Sequence, residues 1–196
     1  MPAIDIAFGT LAVAQVRAEI EPFIETLVRP RAPRAILEIG TYGGGTLLLF
    51  ADAAVSDALI VSIELPERNH FLRRMLYRSF AGARQRIVPI AADSTQPSTR
   101  LCVERALRGR PLDLLFIDGD HSYEGVRRDY LLYSPLVREG GLVAFHDITP
   151  GGGAGDVHRL WAQLAAEFET YEFCSSRSGF GIGVLVKPTG GTNRGA

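Results

Sequence analysis

Short apolar runs alternate with longer amphipathic stretches through most of the chain. Five runs rich in Ile, Leu, Val and Ala are predicted as buried strands, at residues 35–39, 59–65, 87–92, 112–117 and 142–145. Apolar positions three or four apart predict helices between them, at residues 47–54, 68–80, 99–107 and 123–136, with residues 138–141 closing the last helix. This regular alternation indicates a mostly parallel sheet with helices on both faces.

The two ends of the chain depart from this alternation. Residues 10–28 predict one amphipathic helix ended by Pro30 and Pro33, within an N-terminal helical cap of residues 1–33. A helix after Asp156 and two strands at residues 171–175 and 181–187 complete a domain of residues 34–188, with a flexible tail at 189–196. The predicted fold class is α/β, a doubly wound seven-stranded sheet that is mostly parallel with one antiparallel C-terminal strand.

Composition narrows the class of protein. The 196 residues suit one domain, and 46% of them are hydrophobic. A net charge of −1 gives no strong field for nucleic acid or an anionic membrane, so neither is an expected partner. Two distant cysteines, no signal-like leader and no run long enough to span a bilayer predict a cytoplasmic protein.

Polar residues follow all five of the predicted parallel strands. In open α/β sheets, ligands bind in a crevice outside the carboxyl ends of the strands. Polar groups from five strand ends are therefore expected to converge on one ligand site. They are Glu38 with Gly40, Glu64, Asp93, Asp118, and His146 with Asp147.

The turn after the first strand reads Glu-Ile-Gly-Thr-Tyr-Gly-Gly-Gly, from Glu38 to Gly45. It lacks the G-x-G-x-x-G pattern of dinucleotide sites, and the Glu38 carboxylate disfavours a diphosphate. The turn therefore favours a ligand with positive charge, such as a sulfonium or an amino group. Glu64, about twenty residues further on, suits the two hydroxyls of a ribose, with a solvated acid as the structural alternative. Asp93 with Ser94 suits either an adenine edge or the N-terminus of the next helix.

Ionisable residues also cluster after the fourth and fifth strands. His121 follows Asp118 by three positions and is a candidate general base, or else a helix-start residue bonded to a carboxylate. Asp118, His146 and Asp147 form a candidate site for one divalent cation, such as Mg²⁺ or Mn²⁺. In the metal-free alternative, His146 acts as the base or hydrogen-bonds Asp118.

Taken together, these segments resemble class I S-adenosylmethionine-dependent methyltransferases with a Rossmann-like fold. The resemblance rests on Glu-Ile-Gly-Thr-Tyr-Gly-Gly-Gly-Thr, Ala-Asp-Ser, Phe-Ile-Asp-Gly-Asp-His-Ser-Tyr-Glu-Gly and Gly-Gly-Leu-Val-Ala-Phe-His-Asp-Ile, and covers roughly residues 34–187. The most similar branch is the small bacterial group near macrocin-type sugar O-methyltransferases and cephalosporin hydroxylase-like proteins. Catechol-type relatives have Asp-Asn at the His146–Asp147 position and a lysine at the His121 position.

The resemblance implies roles for individual residues. Glu38 and Gly40 would hold the methionine part of S-adenosylmethionine, Glu64 its ribose, and Asp93 with Ser94 its adenine. Asp118 would be the first metal ligand in metal-dependent relatives, completed by His146 and Asp147, while His121 or His146 would take the proton. The implied cofactor-binding set is Glu38, Gly40, Thr41, Tyr42, Gly43, Glu64, Asp93, Ser94 and Asp118.

The expected function is O-methylation of a small hydroxylated molecule, such as a sugar, a phenol or a secondary metabolite, with Mg or Mn assistance as an open question. The loop at residues 150–155 is expected to close over the substrate. Residues 4–28 carry more apolar surface than a lone capping helix needs, which favours a homodimer. The alternatives are an NAD-dependent oxidoreductase and a non-catalytic cofactor-binding relative.

Overall fold

Seven strands form one sheet in the computed structural model, which describes residues 2–11, 13–151, 155–176 and 179–189. The strands are β1 (Ala35–Ile39), β2 (Leu59–Glu64), β3 (Arg86–Ala91), β4 (Leu112–Ile117), β5 (Val137–His146), β6 (Glu169–Phe173) and β7 (Ile182–Val186). Their spatial order is β3-β2-β1-β4-β5-β7-β6, and β7 runs antiparallel to both of its neighbours. The predicted mostly parallel sheet with one antiparallel C-terminal strand is confirmed.

Helices cover both faces of this sheet. They are α1 (Ala3–Thr10), α2 (Arg17–Phe23), α3 (Arg29–Arg31), α4 (Gly45–Ala53), α5 (Phe71–Ser79), α6 (Pro97–Leu107), α7 (Tyr123–Tyr133) and α8 (Val157–Ala165). A π-type stretch, Ile24–Val28, joins α2 to α3, and a short 3₁₀ turn, Ser134–Leu136, follows α7.

The buried strands divide the core into two layers because successive side chains point to opposite faces. On one face, residues such as Val103, Tyr133 and Trp161 from α6, α7 and α8 pack against the sheet. On the other face, α1, α2, α4 and α5 contribute a second cluster that includes Phe23 and Phe50. No helix within the described residues combines the length and apolarity needed to cross a bilayer.

The N-terminal region differs from its prediction. A single helix over residues 10–28 is wrong, because α1 ends at Thr10 and α2 begins only at Arg17. The chain stays helical through Pro30, and this helix ends at Ala32, whose φ is 46°. The apolar side chains of this region, including Ile20 and Phe23, are buried within the same chain. Other apolar side chains there, such as Ile6 and Leu11, are only half-buried, and the homodimer stays a prediction.

The fifth strand is longer than its apolar run indicated. Residues 138–141 were predicted to close the preceding helix. This prediction is wrong, because β5 begins at Val137 and includes Gly140 and Gly141. The Gly140 N–H donates to the Lys187 carbonyl at 2.8 Å, and the Lys187 N–H donates to the Gly141 carbonyl at 2.9 Å. Pairing with the end of β7 thus overrides the local preference of two glycines for a turn.

Two predicted features fall partly outside the described residues. Residues 152–154 of the expected substrate loop and residues 190–196 of the expected tail are not among them. Cys102 and Cys174 form no disulfide and are exposed. The cytoplasmic location stays a prediction.

Candidate active site

The carboxyl ends of β1 to β5 surround a cavity of about 740 Å³. It opens beside the junction of β1 and β4, where the strand order reverses, which is the usual ligand position in such sheets. The predicted site residues that line it are Gly40, Tyr42, Glu64, Asp93, Ser94, Asp118, His121, His146 and Asp147. Five strand ends do converge on one crevice, as their polar residues predicted.

Gly40 brings the end of β1 against the end of β4. Its φ is +87°, and a Cβ there would lie 1.9 Å from the Asp118 carbonyl oxygen. The Gly40 N–H donates to the Ile63 carbonyl, and the Asp118 N–H donates to the Ile39 carbonyl, both at 2.9 Å. Only glycine fits this backbone approach, so the residue fixes where Asp118 enters the cavity.

Glu64 is held by the backbone of the glycine-rich turn. Its Oε2 accepts from the Tyr42 N–H at 2.7 Å, and its Oε1 accepts from the Leu65 N–H at 2.9 Å. The residue is only 6% exposed, yet it lines the cavity at the end of β2. A solvated acid at a strand end, the structural alternative, does not describe this buried and bonded carboxylate.

Two predicted cofactor residues lie behind the cavity lining. Glu38 is fully buried, and neither of its carboxyl oxygens has a hydrogen-bond partner among the described residues. Burial raises the pKa of Glu38 well above its usual range. Thr41 is also buried, and its Oγ1 lies 3.4 Å from the Ile63 carbonyl. Gly43 is half-buried in the turn and is not part of the lining.

Asp93 lies at the cavity and also bonds the turn before α6, so adenine binding stays a prediction, while the N-cap of α6 is Gln96. Its Oδ1 accepts from the Thr95 N–H at 2.9 Å, and its Oδ2 accepts from Gln96 Nε2 at 3.0 Å. These bonds from Gln96 and Thr95 lower the pKa of Asp93 and order the chain just before α6. Asp93 and Ser94 nevertheless line the cavity, at the end of β3.

Asp118 and His146 form a buried pair because β4 and β5 are neighbours in the sheet. Asp118 Oδ1 lies 3.1 Å from His146 Nδ1, and the ring of Phe180 stacks on the imidazole at 6.0 Å between centroids. His146 is 4% exposed, and its Nε2 has no partner in the described part of the chain. Burial opposes protonation of His146, but the hydrogen bond to Asp118 together with the negative charges of Asp118, Asp147 and Glu19 outweighs burial and raises the pKa.

His121 lies between two carboxylates. Its Nδ1 is 2.8 Å from Asp147 Oδ2, and its Nε2 is 3.5 Å from Asp118 Oδ1. The hydrogen bonds to Asp118 and Asp147 raise the pKa of His121 to about 10. Burial raises the pKa of Asp118, but bonds from His121 and His146 outweigh burial and lower it. The imidazolium form of His121 is therefore favoured at neutral pH.

A possible set of metal ligands differs from the predicted one by one histidine. Ligand atoms of Asp118, His121 and Asp147 all lie within 4.8 Å of one another. His146, the predicted third ligand, instead directs Nδ1 at Asp118 Oδ1. Two carboxylates and one imidazole suit manganese, iron or zinc.

Two side chains of the N-terminal region reach this site, although the sequence pattern did not predict a role for either of them. Gln15 is 5% exposed, and its Nε2 donates to Asp118 Oδ2 at 2.5 Å. Glu19 is fully buried and accepts from the Ser175 N–H at 2.9 Å, beside the loop that carries Phe180. A polar residue inside an apolar pattern was the only available hint, and it does not identify the distant partner.

Comparisons with known proteins agree with this fold. The chain is 29% identical over 139 residues to a catechol O-methyltransferase of Mycobacterium tuberculosis, covering 70% of this chain and 59% of the relative. It is 26% identical over 151 residues to the uncharacterized protein y4gI of Sinorhizobium fredii, covering 74% of this chain but only 16% of that protein. An O-methyltransferase from Bacillus cereus in complex with SAH superposes with a TM-score of 0.68 at 20% identity, over 94% of this chain and 90% of the other.

The sheet order and the acidic crevice are those expected of the class I S-adenosylmethionine-dependent methyltransferase fold. The model of a family described as a methyltransferase domain matches residues 37–148, more than half of the chain. The protein belongs to this methyltransferase-domain family. This membership does not favour the alternative of an NAD-dependent oxidoreductase, and the macrocin-like branch stays a prediction.

Proposed function

We propose that the protein transfers the methyl group of S-adenosylmethionine to a hydroxyl oxygen of a small molecule. The observation that carries this proposal is the buried Asp118–His146 pair, which lines the same cavity as Glu64. The Glu64 carboxylate suits the ribose of the cofactor, and the histidine of the pair suits the proton of an acceptor. The similar proteins from Mycobacterium tuberculosis and Bacillus cereus are both O-methyltransferases, which supports the choice of oxygen.

The residues present fit this cofactor. The cavity of about 740 Å³ is large enough for a nucleoside with an amino-acid arm. Glu64 presents a fixed carboxylate for ribose hydroxyls, while Glu38 has two buried oxygens without a described partner. A positively charged ligand nearby would favour the ionised form of Glu38. When bound, S-adenosylmethionine supplies a methyl group already activated by a positively charged sulfur.

His146 is the better candidate for the proton acceptor. When Nδ1 donates to Asp118 Oδ1, the lone pair of the neutral ring is on Nε2, which has no partner among the described residues, and His146 lines the cavity. The carboxylate orients the ring and stabilises the imidazolium that forms when an acceptor hydroxyl loses its proton. His121 is less suited to this task, because its two ring nitrogens already face the carboxylates of Asp118 and Asp147.

A divalent cation, Mg²⁺ or Mn²⁺, would be held by Asp118, His121 and Asp147. His121 must lose its proton to serve as a ligand, so binding of the ion would be weaker at low pH. When bound, the ion supplies charge that lowers the pKa of an acceptor hydroxyl. Under this arrangement, His121 acts as a ligand and His146 remains available for the proton.

Binding of the cofactor is tested by titration calorimetry. S-adenosylhomocysteine is expected to bind the purified protein, whereas NAD is expected to give no binding heat. The glycine-rich turn lacks the G-x-G-x-x-G pattern that holds the diphosphate of NAD. Binding of NAD alone would refute the proposal.

The acceptor and the metal are tested in one assay of cofactor turnover. We expect a catechol to be methylated, following the Mycobacterium relative, and compare it with a monophenol and a monosaccharide. Each reaction is run with chelator, with Mg²⁺ and with Mn²⁺. Turnover unaffected by chelator would remove the metal ion from the proposal while leaving the acceptor unchanged.

The role of His146 is tested with His146→Asn, which keeps a donor for Asp118 but removes Nε2. Loss of a general base typically slows turnover by about 10²–10⁴-fold. The deficit should shrink at high pH, where the acceptor ionises without help. His158→Asn is the matched control, since His158 does not line the cavity. Equal turnover of wild type and His146→Asn would rule out this base.

A further inference from the structure

Gln15 joins three parts of the fold through a single side-chain amide. It lies between α1 and α2 and donates from Nε2 to Asp118 Oδ2 at 2.5 Å, across 103 positions of sequence. Its Oε1 accepts a hydrogen bond from Thr46 Oγ1, in the first turn of α4 after the glycine-rich turn. The N-terminal segment is thereby connected both to the helix that follows the glycine-rich turn and to Asp118.

The amide has only one favourable orientation. Reversing it would place Oε1 against the Asp118 carboxylate, so that two acceptors would face each other in a buried site. With Nε2 on Oδ2, the other oxygen of Asp118 is turned toward the histidines. Oδ1 then lies 3.1 Å from His146 Nδ1 and 3.5 Å from His121 Nε2.

The segment that carries Gln15 is itself anchored. Glu19, in the first turn of α2, accepts from the Ser175 N–H at 2.9 Å and from the Gly181 N–H at 3.2 Å. Phe180 precedes Gly181 and stacks on the ring of His146 with an interplanar angle of 20°. The N-terminal segment thus contacts both members of the Asp118–His146 pair, one directly and one through this loop.

We propose that Gln15 is a positioning residue that fixes the rotamer of Asp118. By occupying Oδ2, it holds Oδ1 toward His146 and His121 and couples this geometry to the helix after the glycine-rich turn. The proposal rests on the proposed function, in which Asp118 orients the proton acceptor and binds a cation. It concerns a residue outside the segment matched by the family model, residues 37–148.

The test compares Gln15→Leu with Gln85→Leu by NMR of histidine ring nitrogens in metal-free protein. Gln85 is a matched control because its Nε2 bonds two backbone carbonyls, of Ala51 and Val55, away from the cavity. The chain has four histidines, so His70 and His158 serve as internal references. Gln15→Leu is expected to shift the ring signals of His121 and His146 and to leave both references in place.

Signals that stay at their wild-type positions in Gln15→Leu would overturn the proposal. Equal shifts in the Gln85 control would overturn it as well, because they would indicate general loosening. If the leucine variant does not fold, Gln15→Met keeps the side-chain length and is compared in the same way.

A second readout uses Mn²⁺ alone. Loss of a residue that orients a metal ligand typically weakens binding by about 10–100-fold, and Gln15→Leu is expected to show a rise in Kd in that range. Affinity for S-adenosylhomocysteine is measured in parallel on both proteins. If the wild type binds neither, the proposed function fails while the histidine signals still decide the role of Gln15. If the wild type binds Mn²⁺ and Gln15→Leu binds it equally well, the positioning role fails instead.

Discussion

Gly40→Ala tests the close backbone approach on which the site depends. An alanine at φ +87° costs about 1–2 kcal/mol in backbone strain. Its Cβ would also lie 1.9 Å from the Asp118 carbonyl oxygen, about 1.5 Å closer than an ordinary C···O contact. Relieving such a contact in a packed region typically costs about 1–3 kcal/mol more. We therefore expect unfolding free energy to fall by about 2–5 kcal/mol.

The same substitution should damage the site beyond its effect on stability. Separating the ends of β1 and β4 displaces Asp118, so we expect affinity for S-adenosylhomocysteine to fall by at least about tenfold in calorimetry of the folded variant. Gly109→Ala is the matched control. Its φ is +79°, but a Cβ there meets no described atom within 4 Å. The Gly109→Ala variant should lose only about 1 kcal/mol of unfolding free energy in urea, and it should bind S-adenosylhomocysteine as tightly as wild type does.

Equal losses in Gly40→Ala and Gly109→Ala, in both unfolding and binding, would refute this reasoning. The steric contact with β4 would then have no energetic consequence beyond the strain of a positive φ.

Three further outcomes follow from buried polar groups. Glu64→Gln exchanges an oxygen for an amide beside two backbone donors, so Kd for S-adenosylhomocysteine should rise about tenfold or more by calorimetry; an unchanged Kd would contradict the role of Glu64. The folded chain holds the Asp129 proton up to about pH 7, whereas the unfolded chain loses it near pH 4, so stability falls as pH rises between these values. Asp129→Asn should therefore be more stable than wild type at about pH 8 by roughly 1–4 kcal/mol in urea unfolding, and no gain would contradict this. Trp161→Phe loses the 2.6 Å bond from Nε1 to Glu172, and thermal unfolding should show a loss of about 1–2 kcal/mol; a loss no larger than that of Glu172→Gln would contradict it.

The sheet was predictable from local pattern. Apolar runs such as residues 35–39 and 112–117 can be buried on both faces only in a parallel sheet with helices on each side. Once the strands are parallel, their carboxyl ends share one edge, so Glu64, Asp118 and His146 had to approach one another. The alternation pattern thus predicted both the fold class and the place of the site.

The local sequence pattern gave wrong predictions where contacts between distant segments determined the secondary structure. Gly140 and Gly141 favour a turn locally, but they extend β5 because their backbone groups pair with Lys187. Residues 10–28 show helical spacing, but the chain leaves the helix after Thr10 and carries Gln15 to Asp118 before α2 begins. Neither contact is between sequence neighbours, so no local pattern could indicate it.

By itself, the sequence determined the mostly parallel sheet, the glycine-rich turn and the set of acids and histidines at the crevice, because these follow from hydrophobic periodicity and strand direction. Only the tertiary structure decided which atoms meet. It placed His121 between Asp118 and Asp147, paired His146 with Asp118 at the cavity, and brought Gln15 onto the second oxygen of Asp118. Side-chain hydrogen bonds act over about 3 Å, and their geometry depends on how distant segments pack, which residue order alone does not specify.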